Sequence, residues 1–272
     1  MKVFKIYLKK IIPYRIFLRV LIYSYYNVFL ILQINTKYKY FSKRKNKSLH
    51  KNGFMQCAFN KSSNLVMSTG FDDFCKRINK IIKEEKNLKR VIYTSKDMLN
   101  NSFFKNFIKN SLIIDVCDDY FKFDYFLGCA EVWWGRPNYQ NSGYSLYHRD
   151  RNTLNALHFD INLKDMYEGS GAVEVINKQQ SRKIKNLWGG EMIKDIKLLY
   201  QFFSENKLKK SLHHAYGKKG TIFCYDSMTN FHRGGICKNS DRLILHICFY
   251  ENVFWRKESY PIRMPINKLI NM

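Results

Sequence analysis

Apolar and polar positions alternate most regularly in the C-terminal half of the chain. From Leu127 onward, short apolar runs are broken by Gly, Asn and Asp. Five of these runs read as strands: 127–134, 157–163, 171–176, 221–225 and 242–249. Many short strands of this kind predict a sandwich or barrel rather than a parallel βαβ fold. Residues 72–110 follow a different period. Phe74, Ile78, Ile81 and Ile82 recur at helical spacing with basic residues opposite. A helical insertion is expected over 190–212, and an acidic run (Asp115, Asp118, Asp119 and Asp124) reads as solvated surface.

The N-terminal segment 16–34 is apolar apart from Arg19, Ser24, Asn27 and Gln33. Its length approaches the ~20 residues that cross a bilayer. However, Arg19, Tyr23, Tyr26, Asn27 and Gln33 share one helical stripe, so the segment is amphipathic rather than apolar all round. Basic residues lie on both sides and leave the positive-inside rule without an orientation. No small-residue cleavage site follows, which argues against a signal peptide. A helix lying in the membrane interface is preferred over one docked on the domain or spanning the bilayer. Residues 41–54 read as a linker ending at Gly53. The expected organisation is therefore a basic amphipathic segment and linker over 1–50, then a domain over 51–272.

Composition narrows the class. The chain has 272 residues, of which 46% are hydrophobic and 16% aromatic, so it can bury a core and is not a disordered chain. Its formal net charge is +25. Residues 1–71 hold fourteen Lys and Arg and no acid, while the rest holds 33 bases against 22 acids. The excess thus sits beside the amphipathic segment. It points to an anionic membrane surface in preference to nucleic acid, because the apolar face has no phosphate to meet. Seven scattered cysteines include no CxxC pair, which suits reduced thiols of a cytoplasmic protein and argues against a zinc ribbon.

Three separated pieces carry candidate chemistry: His148-Arg149-Asp150, Phe231-His232-Arg233-Gly234-Gly235, and Arg242 at the start of the last strand. A His-x-Asp pair at a strand end turns both side chains to one face. With a distant His it forms a two-His, one-carboxylate set, which suits non-haem Fe(II) because positions stay open for other ligands. An Arg nearby can grip a carboxylate through two parallel hydrogen bonds.

In order along the chain, Ser145 to Asp150, Asn162 to Met166, Gly171 to Ile176, Gly220 to Asp226, His232 to Gly234 and Arg242-Leu243 resemble the phytanoyl-CoA dioxygenase-like family of 2-oxoglutarate/Fe(II) oxygenases. The resemblance covers roughly 128–250. It implies a mostly β fold with flanking helices around a double-stranded β-helix (jelly-roll, cupin-like) core. By motif position it implies His148, Asp150 and His232 as iron ligands and Arg242 as the 2-oxoglutarate anchor. The implied cofactors are Fe(II), 2-oxoglutarate and O2. The implied reaction is hydroxylation of a small organic substrate, with 2-oxoglutarate decarboxylated to succinate. Two departures stand out. The Gly-Ser-His-like turn of the family reads Asn177-Lys-Gln-Gln-Ser181 here, and the polar residue two after the distal His is Gly234.

Rival readings of single residues are part of the picture. His158-Phe159-Asp160 is a second His-x-Asp, but the Leu163-x-Asp165 step lies thirteen residues after Asp150, as the resembled family's pattern has it, and only three after Asp160, so His148/Asp150 is preferred as the ligand pair. His213-His214 reads as a solvated helix end or turn. His246 reads as a core histidine on the Arg242 face, and one of Trp133 and Trp134 must face inward. Asp226 is expected to brace the loop before His232. Cys224 and Cys248 read as core thiols. The rival functions are a catalytically silent jelly-roll binding module, or a basic membrane- or nucleic-acid-binding protein.

Overall fold

The computed structural model describes residues 46–57, 69–84, 90–109, 111–121, 124–137, 146–150, 155–188 and 209–251. It also describes 262–271 and the positions 190, 192–193, 199 and 204. These belong to one compact unit, Arg44–Met272. The amphipathic segment 16–34 lies outside the described residues. Among the described residues, no helix is long and apolar enough to cross a membrane.

The strands are β1 (Phe54–Cys57), β2 (Val91–Tyr93), β3 (Tyr125–Gly135), β4 (Tyr147–His148), β5 (Ala156–Asn162) and β6 (Glu174–Ile176). They continue with β7 (Met192–Ile193), β8 (Leu212–His214), β9 (Ile222–Asp226), β10 (His232–Arg233), β11 (Arg242–Glu251) and β12 (Met264–Pro265). The helices are α1 (Lys47–Asn52), α2 (Thr69–Glu84), α3 (Ser95–Asn100), α4 (Ser102–Ile108), α5 (Ser111–Tyr120), α6 (Lys178–Trp188) and α7 (Ile266–Ile270).

Two antiparallel sheets form. The larger runs β1-β9-β5-β11-β3-β12, with β2 also on β3, and the smaller runs β7-β4-β10-β6-β8. The chain changes sheet after β3, β4, β5, β8, β9 and β10. That alternation is the winding of a double-stranded β-helix, or jelly roll.

Alternation along β5 and β11 decides what each face of the larger sheet meets. Leu157, Phe159 and Ile161 on β5, with Leu243, Leu245, Ile247 and Phe249 on β11, pack outward against Phe71, Phe74 and Ile78 of α2, Phe104 and Ile108 of α4, and Ile113 of α5. The intervening residues face the smaller sheet. They are His158, Asp160 and Asn162 on β5, and Arg242, His246, Cys248 and Tyr250 on β11, all buried. The largest hydrophobic cluster among the described residues therefore lies under the helices, while these inner positions of β5 and β11 carry polar chemistry.

Local signals explain the helix ends. Thr94 and Asp97 form a reciprocal capping box at α3, Asn101 caps α4, and Gly53 ends α1 in a left-handed conformation. Residues 47–53 are thus a capped helix rather than linker. Its His50 lies 3.1 Å from Asp119 of α5. The expected solvated acidic run is likewise tied in, since Asp119 binds Asn46 and His50, and Asp118 accepts from Tyr125.

Other expectations need adjusting. The helical stretch 72–110 is interrupted by β2, which pairs with Trp133 and Val132. The run 171–176 is strand only from Glu174, because Gly171 has φ +77°. Most of the expected insertion 190–212 lies outside the described residues; near its two ends stand the strands β7 and β8. The departed turn 177–181 opens α6, with Asn177 Oδ1 accepting from Gln180 N at 3.0 Å.

Candidate metal centre

β4 and β10 each contribute two residues and pair antiparallel, with His148 and His232 as direct register partners. Their ring centroids are 4.4 Å apart. Asp150 follows β4 and donates its backbone N–H to Ser227 O at 3.0 Å, which fixes it beside the loop leading to β10. Asp226 braces that loop as expected, its Oδ1 accepting from Met228 N at 3.1 Å and Thr229 N at 2.9 Å.

Both imidazoles are anchored through Nδ1. His148 Nδ1 lies 2.8 Å from Leu146 O, and His232 Nδ1 lies 3.1 Å from Asn230 O. A carbonyl only accepts, so each Nδ1 carries the hydrogen, which leaves Nε2 as the ring nitrogen able to act as a metal donor. These Nε2 atoms lie 3.8 Å (His148) and 3.9 Å (His232) from Asp150 Oδ1. One donor atom from each of the three residues falls within 4.8 Å of the others. Three lone-pair atoms thus converge with their outer sides already hydrogen-bonded, the arrangement by which proteins orient metal ligands. Two imidazoles and one carboxylate fit a first-row divalent ion with open positions.

Burial lowers His232 to about 4, so its ring is neutral near pH 7. Burial by itself would raise the Asp150 carboxyl. The neighbouring imidazoles, His158 first, and the Ser227 hydroxyl outweigh it and hold Asp150 below the usual carboxylate range.

Arg242 opens β11 on the inner face and is 6% exposed. Its Nη1 donates to Gly171 O at 2.9 Å, and its Nε is buried with no partner among the described residues. Gly234 lies directly against the guanidinium, where an added Cβ would stand 2.6 Å from Nη1. The glycine that departs from the family pattern is therefore what leaves room for Arg242 in this pose.

The second His-x-Asp is not a remote alternative. His158 Nε2 lies 3.2 Å from Asp150 Oδ2 and 3.1 Å from Ser227 Oγ, so it braces the carboxylate from behind. Asp160 points along the interior to His246, with Oδ1 2.6 Å from His246 Nδ1. Burial by itself would lower His246, but Asp160 outweighs it and raises it. Trp133 is the inward member of the tryptophan pair and stacks on His246 with centroids 4.0 Å apart. Trp134 packs with the outer core and donates to Asp241.

Cys224 and Cys248 are buried as expected, and all seven cysteines are free. His213 and His214 lie in β8 rather than at a helix end. His213 is stacked beside Phe54 and Phe223. Sequence reasoning missed Ser227, which carries no motif of its own. It also missed that the Gly171 carbonyl holds Arg242, since the motif position of that glycine says nothing of its carbonyl.

No family model and no curated protein sequence matches the chain. Solved structures do match its shape. HygX from Streptomyces hygroscopicus, with nickel and 2-oxoglutarate bound, is 10% identical with TM-score 0.53, over 79% of this chain and 90% of that one. The non-heme alpha ketoglutarate dependent carbocyclase SnoK from nogalamycin biosynthesis is 12% identical with TM-score 0.52, over 78% and 85%. EctD from S. alaskensis, with 2-oxoglutarate and 5-hydroxyectoine, is 10% identical with TM-score 0.52, over 80% of each chain. At such identities the likeness is one of fold, and it agrees with the jelly-roll winding of the strands.

Proposed function

We propose that this chain is a 2-oxoglutarate- and Fe(II)-dependent dioxygenase that hydroxylates a small organic substrate, of lipid, acyl or other metabolite class. The observation that carries the reading is the convergence of His148 Nε2, His232 Nε2 and an Asp150 oxygen, each imidazole locked by its Nδ1. His148, Asp150 and His232 would hold the iron. Bound there, iron with 2-oxoglutarate and O2 supplies oxidative decarboxylation to succinate and CO2 coupled to substrate oxidation.

The chain's own residues bind and orient. Arg242 pairs with the distal carboxylate of 2-oxoglutarate through its guanidinium, whose unpartnered Nε marks unused donor capacity. Gly171 O fixes one guanidinium nitrogen, and Gly234 keeps the approach open. His158 and Ser227 hold the Asp150 carboxylate in place. The buried inner faces of β5 and β11 exclude water from the reacting centre. Solved relatives in shape include enzymes with nickel and 2-oxoglutarate bound, which supports the same cosubstrate here.

The test is anaerobic addition of Fe(II) and 2-oxoglutarate, read by visible absorbance, followed by succinate formation in air. The expected result is a charge-transfer band in the wild type that disappears in His148→Ala. A wild type with neither band nor succinate would favour a silent binding module. For the 1–50 segment we propose peripheral association with an anionic membrane. That proposal rests on the charge of residues 1–71 and is tested by flotation with phosphatidylserine vesicles, with and without those fifty residues.

A further inference from the structure

The barrel interior contains a second group of metal-type donors, of which the iron reading uses only His158, and that only through Nε2 as a brace on Asp150. His158, His246 and Cys248 each offer one donor atom within 4.8 Å of the others, and all three are buried. Sheet register brings them together. Cys248 is the register partner of His158 across β5, and His246 is the partner of Asp160. On the other side of β11, Cys248 pairs with Cys129 of β3. A row His158–Cys248–Cys129 therefore crosses three strands, with His246 two residues from Cys248 on the same inner face.

The hydrogen bonds around these groups prepare them as donors. Asp160 Oδ1 accepts from His246 Nδ1 at 2.6 Å, which turns the ring so that Nε2 faces Cys248 Sγ at 3.0 Å. A carboxylate backing one imidazole nitrogen while the other faces a soft ligand is a recurrent support for bound metals. His158 meets the Asp150 carboxylate through Nε2, which must donate there, so its bare nitrogen is Nδ1. That Nδ1 is buried with no partner among the described residues, on a residue 6% exposed. An unpartnered buried nitrogen beside a thiol and a second imidazole indicates a missing ligand.

We infer that His158, His246 and Cys248 form a second, soft-metal site for a zinc-class divalent cation, with Cys129 beside Cys248 on β3 but outside the converging set. Two imidazoles and one thiol are donors suited to zinc, which keeps a fourth position for another ligand. At tetrahedral geometry, nitrogen and sulfur donors lie about 3.5 Å apart, given the usual zinc bond lengths. The Nε2–Sγ pair therefore opens by about half an ångström when the cation replaces the proton between them. Each thiol that ligates loses its proton to solvent, and no electron is transferred. The inference stands apart from the iron reading, because the His148, Asp150 and His232 set contains no sulfur.

The full-length chain, stripped of metal and kept reduced and anaerobic, is titrated with Co(II). The expected result is a near-ultraviolet thiolate-to-cobalt charge-transfer band in the wild type, retained in His148→Ala and lost in Cys248→Ser. His246→Gln should weaken cobalt binding at the sulfur-containing site at least tenfold. X-ray absorption of the cobalt-loaded wild type reads sulfur in the coordination shell without relying on any variant to fold. A shell of nitrogen and oxygen alone, or a band undiminished in folded Cys248→Ser, overturns the proposal. Loss of the visible iron band with the sulfur band intact would sink the iron reading and leave this one standing.

Discussion

His158 Nε2 lies 3.2 Å from Asp150 Oδ2, while the Nε2 atoms of His148 and His232 face the other oxygen, Oδ1. One oxygen of the carboxylate is thus turned to the candidate metal position and the other is held from behind. Removing such a support from a metal ligand lowers affinity by roughly 10–100-fold. His158→Ala should therefore weaken Fe(II) binding by about that factor in a titration followed through the visible band. His158→Gln places an amide near the former Nε2 and should restore most of the loss. Equal affinity in wild type and His158→Ala would remove His158 from the site.

Gly234 predicts a separable defect. An added methyl would stand 2.6 Å from Arg242 Nη1, closer than real Cβ contacts come, so the guanidinium must move. Gly234→Ala should raise KM for 2-oxoglutarate by about tenfold, equivalent to roughly 1.4 kcal/mol. Fe(II) affinity should be unchanged, because the histidine ligands keep their anchors. Arg242→Met should raise the same KM further. An unaltered KM in both variants would mean that the cosubstrate binds elsewhere.

Asp226 couples stability to the site. Its Oδ1 accepts two backbone N–H groups of the loop that presents His232. Asp226→Ala leaves those donors without their acceptor, at a cost of about 1–3 kcal/mol. A lower Tm together with weaker Fe(II) binding is expected. Asp226→Asn keeps an acceptor oxygen and should lie between the two.

His213 gives a pH dependence away from the metal centre. It is packed beside Phe54 and Phe223, and burial, followed by the neighbouring His214, lowers its proton affinity. A group depressed in the folded state binds its proton more readily when unfolded. Its stabilising effect is therefore complete above the unfolded histidine value of about 6.5 and falls away as pH drops below it. Urea midpoints measured between pH 7.5 and 5.5 should fall less steeply in His213→Gln than in wild type. Parallel curves would show that the ring does not titrate differently on folding.

The parts of the fold that can be read in the sequence are those where one residue period persists. The alternation of Leu243, Leu245, Ile247 and Phe249 marks β11 nearly to its ends, and β3, β5 and β9 are placed within one or two residues. Strands of two residues, such as β4 and β10, are too short to show any period. Only their motifs reveal them. The candidate ligands are legible because their chemistry is unusual in combination. The standing of His158 is not, because a His-x-Asp in a strand reads the same whether it binds a metal or braces the group that does. Ser227 and Gly171 act through a hydroxyl and a carbonyl that only tertiary contacts make specific.

The pairing of His148 with His232 joins two segments 84 residues apart in the chain through strands of two residues each. Loop-closure entropy makes such a contact costly until the longer strands have closed the loops between them, so it is expected to form late. A metal ion added during refolding would therefore find its ligands only in chains that have finished winding. The rate at which chelated metal is captured then becomes a clock for the last step of barrel closure.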